Sequence, residues 1–95
     1  MRFGAAVVAL RVLVVEDEEA VRRSTVETLR VLGYEVAEAR DGAEALALLR
    51  NGLRVDLLFT DVIMPGPVAS PDLARHAREL QPGIKVLFTS GYTRD

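Results

Sequence analysis

Val55-Asp56-Leu57-Leu58-Phe59-Thr60-Asp61-Val62-Ile63-Met64-Pro65-Gly66, residues 55–66, runs from an apolar segment onto an acid and then into a turn. Val55–Thr60 has the make-up of a buried strand, Asp61 closes it, and Met64-Pro65-Gly66 stiffens the loop beyond. A second apolar run, Val12-Leu13-Val14-Val15, also ends on acids, Glu16 and Asp17. If the two runs are neighbouring parallel strands, all three carboxylates meet at one edge of a sheet. Acids crowded in this way repel one another, so the cluster is either solvated or holds a cation. A hard divalent metal, which prefers oxygen ligands, suits it.

The pattern around this stretch alternates strand and helix, the signature of a parallel α/β sheet. Val12–Val15, Val55–Thr60 and Val86–Thr89 are continuous apolar runs, as expected of strands covered on both faces. Tyr34–Glu38 largely alternates and suits a half-exposed edge strand. The first helix runs from about Glu18 to Leu32 and is predicted to bury Val21, Thr25, Thr28, Leu29 and Leu32. Gly33 ends it, since glycine tolerates the left-handed conformation of a helix stop. The second helix is capped by Asp41, with Glu44 as partner in a capping box, and its buried stripe is Gly42, Ala45, Leu46 and Leu49. The third opens with Ser70 as cap and Pro71 as first helical residue, and turns Leu73, Ala77 and Leu80 inward.

Right-handed crossovers, with Tyr34–Glu38 at an edge, give the strand order 2-1-3-4. The order switches between the first and third strands, where open α/β sheets bind ligands beyond the carboxyl ends of the strands. Glu16, Asp17 and Asp61 all fall there.

Composition narrows the function classes. Ninety-five residues, 49% hydrophobic and 27% charged, make one small domain with a packed core. Twelve basic and fourteen acidic residues leave a net charge of −2 without a basic block, which is no footprint for nucleic acid. Arg22-Arg23, the one basic pair, is assigned to the solvated face of the first helix. The absence of cysteine excludes disulfides, thiolate metal sites and cysteine catalysis, and agrees with a reducing cytoplasm. Phe3–Leu10 is uncharged but too short for a membrane span, and lacks the cleavage region of a signal peptide. Residues 1–9 are therefore read as an N-terminal extension to a domain over residues 10–95.

A carboxylate can attack phosphorus and form an acyl phosphate. Phosphoryl transfer asks mainly for positioning and for neutralisation of spreading negative charge. A divalent metal held by neighbouring acids beside Asp61 would meet that demand. Thr89, at the carboxyl end of the fourth strand, could donate a hydroxyl hydrogen bond to the same oxygens. Singly, each residue has a plainer reading: Asp17 as a helix cap, Asp61 as a loop acid, Thr89 as a strand end. Their convergence on one point favours function. His76, the lone histidine, is read as an exposed or structurally satisfied helix residue.

These residues resemble the receiver domain of two-component response regulators, over about Leu10 to the end. The resemblance is carried by Val12-Leu13-Val14-Val15-Glu16-Asp17-Glu18, by Ala39-Arg40-Asp41-Gly42-Ala43-Glu44-Ala45-Leu46, by Asp61-Val62-Ile63-Met64-Pro65-Gly66 and by Val86-Leu87-Phe88-Thr89-Ser90-Gly91-Tyr92. The Asp61 and Thr89 segments are most similar to receivers attached to hybrid histidine kinases. The resemblance implies a flavodoxin-like fold and a cytoplasmic signalling domain that is not an enzyme. It also implies that Asp61 accepts a phosphoryl group from the phosphohistidine of a histidine kinase. Glu16 and Asp17 would form a Mg²⁺ pocket with Asp61, Asp17 being the direct acidic ligand of that pair. The backbone carbonyl of Ile63 would complete the protein ligands, and the Thr89 hydroxyl would follow the phosphoryl group and help switch the surface.

The chain departs from the family's pattern in two places. The family continues with another helix, a fifth strand carrying a lysine that pairs with the phosphoryl group, and a final helix. This sequence stops at Asp95, and its only lysine, Lys85, precedes the fourth strand. It therefore reads as a receiver truncated at its carboxyl end, without fifth strand or last helices. Pro67-Val68-Ala69-Ser70-Pro71 also replaces a more glycine-rich loop. The truncation predicts an exposed apolar fourth-strand edge, so that the chain either self-associates through it as a homodimer, swaps segments, or is a fragment of a longer protein. An alternative is a pseudo-receiver, the same fold serving as an interaction or dimerisation module without phosphorylation. A haloacid-dehalogenase-like phosphatase would want a second acid where Ile63 stands. A dinucleotide fold would want a glycine-rich turn where Glu16-Asp17-Glu18 stands.

Overall fold

The structure, a computed structural model, describes residues 9–89. Strand and helix alternate along it: β1 (Arg11–Val15), α1 (Glu19–Val31), β2 (Glu35–Ala39), α2 (Gly42–Arg50), β3 (Leu57–Asp61), α3 (Ser70–Leu80) and β4 (Lys85–Thr89). The strands form one parallel sheet in the order β2-β1-β3-β4, as the crossover argument predicts. Residues 1–8 of the expected extension, and Ser90, Gly91 and Tyr92 of the last motif, lie outside the described residues.

Side chains alternate across a strand, so β1 and β3 feed two separate cores. Leu13, Val15 and Leu58 face α2 and α3 and pack with Ala45, Leu46, Leu49, Leu73 and Ala77. Leu13, Leu58 and Leu73 are fully buried, and burial of such a side chain is worth about 1.5–3 kcal/mol. On the opposite face Val12 and Val14 meet Val26 of α1 in a much smaller cluster. The helix ends follow local chemistry. Asp41 accepts the Glu44 N–H at 2.8 Å, while the Glu44 carboxylate accepts the Arg40 N–H at 2.7 Å, a capping box displaced by one residue. Gly33 stops α1 with φ 101°, in the left-handed region.

Five expectations need correction. In α1 the buried residue is Val26, while Val21 is 45% and Leu32 67% exposed and Thr28 is also exposed. The inward stripe runs through Arg22, Val26 and Leu29, so of the predicted residues Leu29 lies on it and Thr25 is half-buried beside it. A charged residue occupies the first of these places, its stem packed and its head turned to hydrogen-bond partners. Arg22 thus leaves the solvated face on which Arg23 remains.

In α3, Leu80 is 45% exposed. Its expected place is taken by Gln81, which is buried and spans two backbone groups. It accepts the Val55 N–H at 3.1 Å and donates to the Leu53 carbonyl at 2.6 Å. Ser70 does not cap α3: Ala69 is the cap residue, and the Ser70 hydroxyl donates elsewhere. Finally, β4 is not covered on both faces. Leu87 and Phe88 are exposed, and among the described residues β4 pairs only with β3.

Candidate functional site

Val15 and Thr60 stand opposite each other in the β1–β3 register, so these strands end side by side. Glu16 and Asp17 leave β1 there, and Asp61 is the last residue of β3. One carboxylate oxygen from each lies within 4.8 Å of the other two. Asp17 is exposed, and Glu16 and Asp61 are half-buried. Thr89 is the register partner of Asp61 on β4, and partners in a parallel pair project to the same face. Together with Glu16, Val21, Thr25 and Phe59, they line one cleft on the α1 side of the sheet. The structure thus brings together Glu16, Asp17, Asp61 and Thr89. Ile63 lies two residues beyond Asp61 in the loop, with its side chain 82% exposed.

Glu16 has a second role that the sequence had suggested for Asp17. Its carboxylate accepts the Glu18 N–H at 3.0 Å and so occupies an orphan donor at the start of α1. Burial pushes the Glu16 carboxyl above its ordinary range, and the charges of Asp61 and Asp17 push the same way against that hydrogen bond. The donor set is carboxylate oxygen alone, half-open to water, with a mutual repulsion that a cation would relieve. These residues fit a hard divalent ion such as Mg²⁺.

Sequence reasoning missed the groups that hold this edge in place. The Arg22 guanidinium donates to the Glu16 carbonyl at 2.9 Å and to the Glu38 carboxylate at 3.1 Å, tying the β1–α1 corner to β2. Its helical spacing of four from Val26 was the available signal. On the β3 side, Thr60 Oγ1 donates to the Asp61 carbonyl at 3.1 Å, and Ser70 Oγ donates to the same oxygen. Val68, near the end of the loop, sets its carbonyl against Gly42: a Cβ there would stand 2.3 Å from that oxygen.

Comparison with known proteins agrees with this arrangement. Residues 12–95 match the family model described as the response regulator receiver domain. The chain belongs to that family. Among relatives, this receiver is 46% identical over 85 residues to the sensor kinase CckA of Brucella abortus, covering 88% of this chain and 9% of the kinase. It is 37% identical over 82 residues to the response regulator receiver protein CpdR of the same organism, covering 86% and 67% of the two chains. It thus spans under a tenth of one relative and about two thirds of the other.

Among solved structures, the receiver domain of the hybrid histidine kinase CckA aligns with TM-score 0.75 at 48% identity, over 82% of this chain and 72% of that one. The response regulator TrrA of Thermotoga maritima, in complex with Mg²⁺-BeF, aligns with TM-score 0.78 at 33% identity, over 88% and 71%. The receiver fold expected from the motifs is therefore the observed one. Among the described residues no helix is long and apolar enough to cross a membrane.

Proposed function

We propose that this receiver is a phosphoacceptor: Asp61 takes a phosphoryl group from the phosphohistidine of a histidine kinase, with Mg²⁺ at the acid edge. The observation that carries the reading is the meeting of Glu16, Asp17 and Asp61 within 4.8 Å at the switch in strand order. An Asp61 carboxylate oxygen forms a bond to phosphorus as the bond from phosphorus to the imidazole nitrogen breaks, leaving an acyl phosphate and a neutral imidazole after proton uptake. Asp17 and Asp61 would hold the metal, with Glu16 beside them and the Ile63 carbonyl completing the protein ligands. When bound, Mg²⁺ supplies positive charge beside the phosphoryl oxygens. Thr89, on the same face as Asp61, offers a hydroxyl to those oxygens. The domain accepts one group per cycle and is a signalling element rather than an enzyme.

Intact mass after incubation with Mg²⁺ and a small phosphodonor tests the reading. One phosphoryl adduct is expected on the wild type and none on Asp61→Asn, with circular dichroism showing both folded. Lys85 pairs with Leu57, at the far end of β3 from Asp61, and takes no part at the acid edge. A folded wild type without adduct would select a second reading, a pseudo-receiver that serves as an interaction or dimerisation module without phosphorylation.

A further inference from the structure

The carbonyl of Asp61 is held by two hydroxyls, and both come from residues with no exposed surface to speak of: Thr60 at 0% and Ser70 at 1%. Thr60 is its immediate neighbour, so that bond constrains little beyond the local peptide. Ser70 is nine positions away. Its hydroxyl therefore closes residues 62–69 into a loop pinned at its base, at the peptide that joins Asp61 to Val62. The same loop is pinned again where the Val68 carbonyl rests on Gly42 at the start of α2. On its other flank the Val62 N–H donates to the Thr89 carbonyl at 3.0 Å. Between these anchors Val62 and Ile63 are exposed, with little packing of their own to fix them.

Nothing about helix α3 requires this arrangement of Ser70. Its hydroxyl makes no cap bond, and Pro71 removes one of the donors a cap would serve. What the hydroxyl does control is the plane of the Asp61–Val62 peptide. That plane sets where the Asp61 side chain leaves the backbone and where the loop carrying the Ile63 carbonyl sets out.

We infer that Ser70 is a positioning residue for the acid edge: by holding the Asp61 carbonyl, it orients the Asp61 carboxylate and the Ile63 carbonyl toward Glu16 and Asp17. This rests on the phosphoacceptor reading and adds to it a residue that touches neither metal nor phosphoryl group. Its contribution is preorganisation, the avoided cost of ordering ligands at the moment of binding.

Mg²⁺ titration by calorimetry, with the metal alone as probe, tests it on the wild type, Ser70→Ala, Ser70→Thr and Ala77→Gly. Ala77→Gly is the control, a buried position two turns beyond Ser70 in the same helix, where the loss of helix propensity destabilises α3 and no hydrogen bond to the Asp61 carbonyl is removed. Ser70→Ala is expected to weaken Mg²⁺ binding about 5-fold, the worth of one net hydrogen bond. Ser70→Thr, which keeps a hydroxyl, restores most of that loss. Ala77→Gly lowers the urea midpoint yet leaves Mg²⁺ affinity within about 2-fold, as for independent sites. Wild-type affinity in Ser70→Ala, or equal weakening in Ala77→Gly, overturns the positioning role and leaves the phosphoacceptor reading standing. A folded wild type that binds no Mg²⁺ at millimolar concentration overturns both.

Discussion

Thr89 stands opposite Asp61 in the β3–β4 register, and its carbonyl accepts the Val62 N–H at 3.0 Å, so the hydroxyl is tied to the strand end that bears Asp61. The two side chains share a face; in the proposed reading Asp61 forms the bond to phosphorus and Thr89 only donates a hydrogen bond to the phosphoryl oxygens. Thr89→Ala is therefore expected to keep the phosphoryl adduct and to form it about 10–150-fold more slowly, the loss of one hydrogen bond to a charged group. A time course of intact mass with Mg²⁺ and a small phosphodonor checks this. Complete loss of the adduct would give Thr89 a larger part than its position implies.

In the proposed reading Glu16 sets metal binding against stability. Its carboxyl lies above the ordinary value of 4.5, through burial first and the charges of Asp61 and Asp17 next. A folded pKa above the unfolded one means a contribution fully present below about pH 4.5 and lost as pH rises through the raised value. Glu16→Gln, which can still accept the Glu18 N–H, is expected to raise the urea midpoint of the metal-free protein near neutral pH. The two proteins should converge below about pH 4, where the wild-type carboxyl is itself neutral. In Mg²⁺ the order reverses, because ion binding stabilises the wild type more. Paired denaturation curves with and without the ion give the answer.

Gly42 leaves no room for a methyl group. A Cβ would meet the Val68 carbonyl at 2.3 Å, and the obstacle is backbone rather than a movable side-chain tip. Gly42→Ala should cost about 1–3 kcal/mol, the usual range for overpacking, despite the better helix propensity of alanine. Urea denaturation measures it. An unchanged midpoint would mean that the β3–α3 loop yields freely, and would weaken the case for a loop pinned at Val68.

Leu87 at 50% and Phe88 at 39% exposure leave β4 as an apolar edge among the described residues. Edges of this kind recruit other strands. Sedimentation velocity across a wide concentration range is expected to show self-association, and Leu87→Lys should shift the population toward monomer. A monomer at every concentration would remove edge pairing from consideration.

Much of the site was legible because its logic is local. An apolar run that ends on acid marks a strand and its functional end at once, and crossover handedness then sets Glu16, Asp17 and Asp61 together. Asp41 with Glu44, and Gly33 after α1, are likewise signals of a few residues. The supports were not legible, because each depends on partners brought near only by folding. Arg22 looked like surface charge until its carbonyl partner at Glu16 was in place. Ser70, followed by Pro71, looked like a cap, yet its acceptor lies nine residues upstream. Gly42 could be assigned to a buried stripe, but not to contact with Val68 across the loop.

The two faces of the sheet are unequal, and this bears on how the domain breathes. Val26 is the only buried residue of α1, whereas α2 and α3 each bury several. Amides of α1 should therefore exchange with solvent through openings that leave the β3 core closed, since sparse burial lowers the free energy of local unfolding. Glu16 and Asp17 lie at the start of that helix, and Asp61 ends a strand that is paired on both sides. A cation bridging them would couple the sparsely buried helix to the interior of the sheet, so that the state of the acid edge is written in the opening rate of a single helix.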